Sequence, residues 1–135
     1  MNPREVARVA RRCITIAHER MQAGDILLVF IEGTRSRTFG MQQALSGASR
    51  YLEVPGTCVI PAAITGSEAM FPIDDHRLHT VRVGVRFGPP MLAEDLAARA
   101  NGDRKVVVDS VAAAIADLLP PQYRGVYDGH PTRVA

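Results

Sequence analysis

A short apolar run at residues 26–31 opens directly into a polar loop rich in Gly, Thr, Arg and Ser. A run of this length that follows Gly24 is typical of a buried strand. Such a strand would fix the root of the loop, while Gly33 permits backbone angles that other residues avoid. The guanidinium groups of Arg35 and Arg37 add forked donors that suit phosphate or carboxylate oxygens. The segment therefore predicts a strand that ends at an anion-binding loop.

The size and composition of the chain favour one globular domain over residues 1–135. A chain of this length can bury a core, and 47% hydrophobic with 22% charged residues argues against disorder. The net charge of +2 is too small to indicate a nucleic-acid partner. Residues 120–135, with Pro, Gly and polar side chains, are predicted to form a surface tail. Cys13 and Cys58 lie in apolar stretches, which favours reduced, buried thiols in a cytoplasmic setting.

The first 25 residues carry the signals of an amphipathic helix. Asn2 and Pro3 provide a cap and a proline at the first helical position, which predicts a helix over residues 3–23. Apolar residues recur along one side of it at helical spacing, namely Val6, Val9, Ala10, Cys13, Ile16, Ala17 and Met21. Arg4, Arg8, Arg11 and Arg12 gather on the opposite side. That basic face is either solvated or a contact for a membrane surface or a partner.

Helical and strand patterns interleave along the rest of the chain. A short helix is predicted at residues 44–52 and further helices at 93–100 and 103–119. The apolar run 57–64 is typical of a strand buried on both faces, with a break or bulge at Pro61. Residues 79–88 alternate, so we expect the apolar residues of this strand to face inward and its two arginines outward, with inward Val81, Val83, Val85 and Phe87 and outward Arg82 and Arg86. The order predicts an α/β fold with a partly parallel mixed sheet and flanking helices.

Four segments, in order, resemble the glycerophospholipid acyltransferases. Residues 30–36, Phe-Ile-Glu-Gly-Thr-Arg-Ser, are similar to the third motif of this family, and residues 59–64, Val-Ile-Pro-Ala-Ala-Ile, resemble its fourth. Residues 83–90 and 119–127 are similar to the later strand-and-turn and to the ending of these enzymes. The resemblance implies an incomplete glycerol-3-phosphate acyltransferase-like fold, of which this chain holds the C-terminal part.

The resemblance also implies a function and a site. Enzymes of this type transfer an acyl chain from acyl-CoA or acyl-carrier protein, as co-substrate and without a cofactor or metal, to a lysophosphatidate-like acceptor. Their third motif binds the glycerol-phosphate part of the acceptor. Carried onto this sequence, the substrate-binding residues are Glu32, Gly33, Thr34, Arg35, Ser36 and Arg37. The expected location is cytoplasmic, peripherally at the inner membrane.

Two departures from the family pattern bear on activity. Ile31 stands where the family has Pro, which leaves the backbone before the loop freer. The family's catalytic base is the His of a His-x4-Asp motif, and none of the four histidines is followed by Asp at that spacing. We therefore assign no catalytic residue and expect the chain to be inactive alone. It is either a truncated reading frame or an evolved non-catalytic, lysophospholipid-binding relative.

The remaining histidines favour structural roles. Residues 74–79 hold two aspartates and two histidines, yet a polar loop explains them better than a metal site, since neither a helical frame nor a further ligand is evident. His18 is interpreted as a structural residue of the first helix. An incomplete domain leaves strand edges and apolar faces uncovered, so self-association is expected as well.

Overall fold

The structure, a computed structural model, describes residues 2–130. Three α-helices and four short strands alternate with 3-10 turns. In chain order the elements are α1 (Pro3–Gln22), a 3-10 helix (Ser46–Leu52), β1 (Cys58–Val59), β2 (Ala62–Thr65), a 3-10 helix (Ser67–Ala69), β3 (Gly84–Phe87), β4 (Met91–Leu92), α2 (Ala93–Arg99), α3 (Arg104–Asp117) and two 3-10 turns (Pro121–Tyr123 and Gly125–Tyr127).

The strands form two separate two-stranded sheets, in which β1 pairs with β4 and β2 pairs with β3. Both pairs are antiparallel. The mixed helix and strand content confirms the predicted α/β class, and the small sheets agree with an incomplete domain. The parallel pairing that we expected is not found among the described residues.

Helix α1 forms where its capping signals predict it. The Asn2 side chain accepts a hydrogen bond from the Glu5 amide while the Glu5 carboxylate accepts one from the Asn2 amide, a complete capping box. The predicted apolar stripe of α1 is mostly exposed, and Ala17 is its one buried residue. The His18 ring bonds the carbonyl oxygen of Arg50 at 2.6 Å, which attaches the end of α1 to the 3-10 helix Ser46–Leu52. Within residues 2–130, no helix combines the length and the apolar character needed to span a membrane.

The predicted strand at residues 26–31 is wrong. Residues 26–30 have no regular secondary structure and Ile31 begins a turn, and Ile26, Leu28 and Phe30 are 98%, 76% and 70% exposed. A strand needs a neighbour for its backbone groups, and no described strand pairs with this run. Only its end is held, because the Leu45 amide donates to the Ile31 carbonyl at 2.8 Å.

The run 57–64 divides at Pro61, as predicted, into β1 and β2. Burial on both faces is wrong, because Cys58 and Ile60 are exposed while Pro61 and Ala63 are buried. Since β1 and β2 each have a single neighbouring strand and only part of one face meets a helix, the other face stays open to solvent.

The predicted inward face of the strand around residues 79–88 is wrong in β3, because all four residues of β3 are exposed. Ala63 pairs with Arg86 and Ile64 pairs with Val85, so each pair shares one face of the sheet. The face with Ala63 packs on α3, because Ala63 belongs to the same core as the alanines of that helix. Val85 and Phe87 consequently point outward and are 51% and 70% exposed.

Helix α3 is the centre of the core. The Asp103 side chain caps it by accepting from the amides of Lys105 and Val106, as its predicted start requires. One side of α3 packs on α2 through a cluster of Leu96, Ala100, Val107 and Val111. The other side forms a second cluster with Met41, Ala44, Ala63, Val108, Ala112, Ala116, Leu119 and Tyr127. Burying each Val or Leu side chain stabilises the fold by about 1.5–3 kcal/mol, so these two clusters dominate its stability.

The predicted surface tail is partly wrong. Tyr127 is buried in the α3 core, and the chain just before it bonds to an earlier segment. The Met41 amide donates to the Tyr123 carbonyl at 2.9 Å, and the Val126 amide donates to the Met41 carbonyl at 3.0 Å. These backbone bonds, which the tail composition does not reveal, hold residues 121–127 against the core. Residues 131–135 lie outside the described part of the chain.

Candidate functional site

Residues 32–40, which we call the Arg loop, begin with a tight turn. The Gly33 amide donates to the Phe30 carbonyl at 3.0 Å, and Gly33 has φ +69°. A Cβ atom at Gly33 would collide with the side chain of Leu45. The left-handed backbone therefore favours glycine at the start of the loop, and a larger residue would also displace the Leu45 side chain.

Glu32 serves the shape of the loop. Its Oε2 accepts a hydrogen bond from the Gln42 amide at 2.7 Å, across the neck of the loop. The Glu32 carboxylate therefore bonds to the protein backbone, and it pairs with no arginine among the described residues. The amide donor stabilises the negative charge.

The two arginines of the Arg loop are exposed, and they differ in their partners. Arg35 Nη1 donates to the Phe71 carbonyl at 2.9 Å, which ties the guanidinium to the segment after β2. In the part of the chain that the structure describes, this is the one hydrogen bond of Arg35, so most of its donors face solvent. Arg37 and Thr34 are exposed without a bond among residues 2–130. Arg35 is thus oriented, whereas Arg37 is a solvated neighbour whose predicted binding role stays a prediction.

Ser36 closes the Arg loop on itself. Its hydroxyl donates to the Gly40 carbonyl at 2.7 Å and accepts from the Thr38 amide at 3.2 Å. Because the hydroxyl proton is engaged with Gly40, Ser36 stabilises the loop, and an incoming anion would compete with that bond. The predicted binding role of Ser36 stays a prediction.

His18 and His79 form hydrogen bonds with residues outside the Arg loop. His18 is engaged with the Arg50 carbonyl, and His79 Nε2 bonds Asp75 Oδ2 at 2.7 Å within the polar loop 74–79. The bond from His79, with a smaller contribution from the Arg77 amide, lowers the pKa of the Asp75 carboxyl. Among residues 2–130 no group of three or more His, Cys, Asp or Glu side chains could hold a metal ion.

A polar cluster of Gln43, Lys105, Asp109 and Tyr127 adjoins the segment that leaves the Arg loop. Asp109 and Tyr127 are buried, whereas Gln43 and Lys105 are exposed. The Tyr127 hydroxyl donates to Asp109 Oδ1 at 2.9 Å and accepts from the Ala44 amide at 3.0 Å. Gln43 Nε2 donates to Asp109 Oδ1 at 2.7 Å, and Lys105 Nζ pairs with Asp109 Oδ2. The cluster therefore joins α3 and residues 121–127 to the segment that leaves the Arg loop.

The electrostatics of this cluster keep Tyr127 neutral and Asp109 charged. Burial, together with the nearby Asp109 carboxylate, raises the pKa of Tyr127 to about 12. Burial opposes ionisation of Asp109, yet the bonds from Lys105, Tyr127 and Gln43 outweigh it and lower the pKa of the Asp109 carboxyl. At neutral pH the Tyr127 hydroxyl is thus a permanent donor to a carboxylate.

The sequence patterns do not predict this cluster. Tyr127 falls within the predicted surface tail, and Asp109 lies in a helix whose pattern is dominated by apolar residues. One signal was available, because Asp109 directly follows Val107 and Val108 in a strongly apolar helix. A carboxylate there needs partners, since an unpaired buried charge is very costly.

Comparison with known proteins bears on the Arg loop. The model of the acyltransferase family matches residues 3–65, slightly less than half of the chain. The match includes α1, the Arg loop and β2, but not the later segments at 83–90 and 119–127. No significant match was found among curated proteins or solved structures. Residues 3–65 of this chain are therefore similar to part of an acyltransferase domain.

Proposed function

We propose that this chain supplies the acceptor-binding part of an acyltransferase of phospholipid biosynthesis. The reaction is transfer of an acyl chain from acyl-CoA or acyl-carrier protein to a hydroxyl of a lysophosphatidate-like acceptor. The observation that carries the proposal is the exposed Arg loop inside the segment that matches the family model. Its Arg35 is oriented by the Phe71 carbonyl while most of its donors remain open.

The chemistry of the Arg loop suits a phosphate. A guanidinium forks onto two phosphate oxygens, and the exposed Thr34 and Arg37 add donors of the right kind beside Arg35. Glu32 has the wrong sign for this ligand, but its Oε2 is engaged with the Gln42 amide. Because the loop is exposed, its attraction for phosphate falls as ionic strength rises.

We propose further that the isolated chain transfers no acyl group. Attack of a hydroxyl on a thioester needs a base that takes the hydroxyl proton. In the acyltransferases that this sequence resembles, that base belongs to a His-x4-Asp motif, and these 135 residues contain no such motif. The His18 and His79 rings are already bonded to Arg50 and Asp75.

The acceptor is an amphipathic lipid, so we place the protein peripherally at the cytoplasmic face of the inner membrane. The exposed basic side of α1 supports this location, because arginines close to an anionic membrane surface are each worth about 1 kcal/mol.

A non-catalytic lysophospholipid-binding protein is the second candidate. The observation that favours it is that the Arg loop is held by bonds within this chain, from Glu32 to Gln42 and from Ser36 to Gly40. A loop held in this way can bind phosphate without the catalytic part of the domain.

Titration calorimetry with glycerol 3-phosphate tests the acceptor site. We expect Arg35→Ala to weaken binding about tenfold or more, since a charged hydrogen bond contributes about 1.5–3 kcal/mol. Arg37→Ala is the matched control, with the same change of charge in the same loop and a smaller expected effect. Equal losses in the two variants would show attraction by net charge without an oriented Arg35.

Turnover assays with acyl-CoA and lysophosphatidate test the proposed inactivity. Acyl transfer by the purified 135-residue chain would overturn it. Phosphate binding without turnover fits both candidates. They separate if a polypeptide bearing a His-x4-Asp motif restores turnover when added to the chain, because only the first candidate requires this.

A further inference from the structure

We propose that Tyr127 and Asp109 are positioning residues, which hold the Arg loop in its phosphate-binding shape from behind. This inference rests on the acceptor-binding function proposed above. It assigns a role in that site to the C-terminal segment 121–127, which lies outside the family match at residues 3–65.

Hydrogen bonds at each end of the backbone segment 42–44 link α3 to Glu32. Asp109 accepts from the Tyr127 hydroxyl, and that hydroxyl accepts from the Ala44 amide. The backbone that includes Ala44 also carries the Gln42 amide, which donates to Glu32 Oε2. The position of residues 42–44 therefore determines where the Glu32 carboxylate is held.

The same segment also fixes the backbone at the root of the Arg loop. The Leu45 amide, one residue after Ala44, donates to the Ile31 carbonyl at 2.8 Å. The two ends of the loop are thus bonded to each other, and the Tyr127 hydroxyl anchors the outgoing end to the core. Loss of that hydroxyl would leave the Ala44 amide, which is buried, without its partner.

A second attachment lies where the chain leaves the Arg loop, at Gly40 and Met41. Met41 exchanges two backbone hydrogen bonds with Tyr123 and Val126. A Cβ atom at Gly40 would lie 2.9 Å from Gly125 Cα, so the two backbones touch where only glycine fits. The Arg loop is therefore clamped between residues 121–127 and the turn at Gly33.

Pre-organisation links this clamp to binding. A ligand that binds only the ordered loop has its apparent affinity reduced by the fraction of molecules in which the loop is ordered. Removing one anchoring hydrogen bond, at about 1 kcal/mol, lowers that fraction when the ordered and disordered loops are close in free energy. The expected loss of glycerol 3-phosphate affinity is about threefold to tenfold.

The test compares Tyr127→Phe with Tyr51→Phe, which removes the hydroxyl of a half-buried tyrosine that has no hydrogen bond among the described residues. Tyr127→Phe is expected to weaken glycerol 3-phosphate binding about threefold to tenfold and to speed amide exchange at Gln42 and Leu45. Tyr51→Phe is expected to change neither. Binding is compared at a temperature where both variants are fully folded.

The conservative change Asp109→Asn should preserve the hydrogen bonds that Asp109→Leu removes. The Asn oxygen still accepts from Tyr127 and Gln43, whereas Asp109→Leu has no acceptor. We expect Asp109→Asn to keep most of the affinity and Asp109→Leu to lose it. Should Tyr127→Phe not fold, this pair, measured in the folded state, decides the proposal.

The binding measurements distinguish failure of the positioning role from failure of the acceptor-binding function. If the wild-type chain does not bind glycerol 3-phosphate, the acceptor-binding function fails, and the positioning role of Tyr127 fails with it. If the wild type binds and Tyr127→Phe binds equally well, only the positioning role is overturned. Equal losses in Asp109→Asn and Asp109→Leu would also overturn it.

Discussion

Helices α1 and α3 differ in what covers their apolar residues. Val108 and Ala112 of α3 are 3% and 0% exposed, because α3 packs on α2, on β2 and on the segment that follows the Arg loop. Val6 and Val9 of α1 are 49% and 47% exposed, although they form a regular stripe. The regular spacing of apolar residues therefore shows which residues share a face, while burial depends on a partner element.

The apolar run 26–30 is uncovered in the same way as α1. It links α1 to the Arg loop, and Ile26, Leu28 and Phe30 are exposed, whereas the chain after the Arg loop is buried by α3. The Arg loop thus lies at the boundary between a packed region and an uncovered one. Exposed apolar residues along a continuous stretch are typical of surfaces that another polypeptide or a membrane covers.

The largest expected effect is on unfolding free energy, when an aspartate is introduced into α3 or into α1. Ala112→Asp places a carboxylate in the core without a partner and is expected to cost roughly 3–5 kcal/mol of unfolding free energy. Val9→Asp, on the exposed face of α1, is expected to change it by less than about 0.5 kcal/mol. Urea denaturation followed by circular dichroism measures both. A large loss in Val9→Asp would show that the α1 face is covered in solution.

A smaller effect is expected on self-association. The uncovered apolar run favours contacts between copies, so Leu28→Lys should weaken the dimerisation constant by about tenfold, which corresponds to about 1.4 kcal/mol. Sedimentation velocity at several concentrations measures it. Leu78→Lys, at an exposed leucine outside this run, is the control. A wild-type chain that stays monomeric at high concentration would contradict the prediction.

The smallest expected effect is on pH dependence. The pKa of the Asp109 carboxyl is lowered in the folded state, because bonds from Lys105, Tyr127 and Gln43 outweigh its burial. The unfolded chain therefore binds a proton more readily, so the stabilisation is complete above the ordinary Asp pKa and is lost as the pH falls through the lower folded value.

Thermal unfolding of wild type and Asp109→Asn between pH 3 and 7 measures this contribution. The difference in stability between the two proteins should shrink toward acid pH. A constant difference over the range would show that Asp109 does not titrate in the packed region.

Local signals predicted the helices of both regions. The capping box at Asn2 and Glu5 and the cap at Asp103 act within a few residues, so α1 and α3 begin where the sequence indicates. The break at Pro61 follows in the same way from the missing amide of proline. The α/β class and the acyltransferase resemblance follow from such local patterns and are confirmed.

Distant contacts explain what the sequence could not predict. The run 26–31 has the composition of a strand, but composition does not supply a pairing strand. The alternation at 83–87 identifies two faces, and only the packing of the paired strand β2 on α3 through Ala63 decides that Val85 and Phe87 lie on the outer one. Tyr127 lies 83 residues from Ala44, and nothing near it in the sequence indicates that its hydroxyl is buried.

The close approach of Gly40 and Gly125 has a consequence for synthesis on the ribosome. The Arg loop is translated before residues 123–127, which contain the backbone that clamps it. The loop therefore cannot reach its final shape co-translationally until residues 123–127 are released. A nascent chain stalled before residue 123 would carry the complete Arg loop sequence with a loop that is not yet ordered.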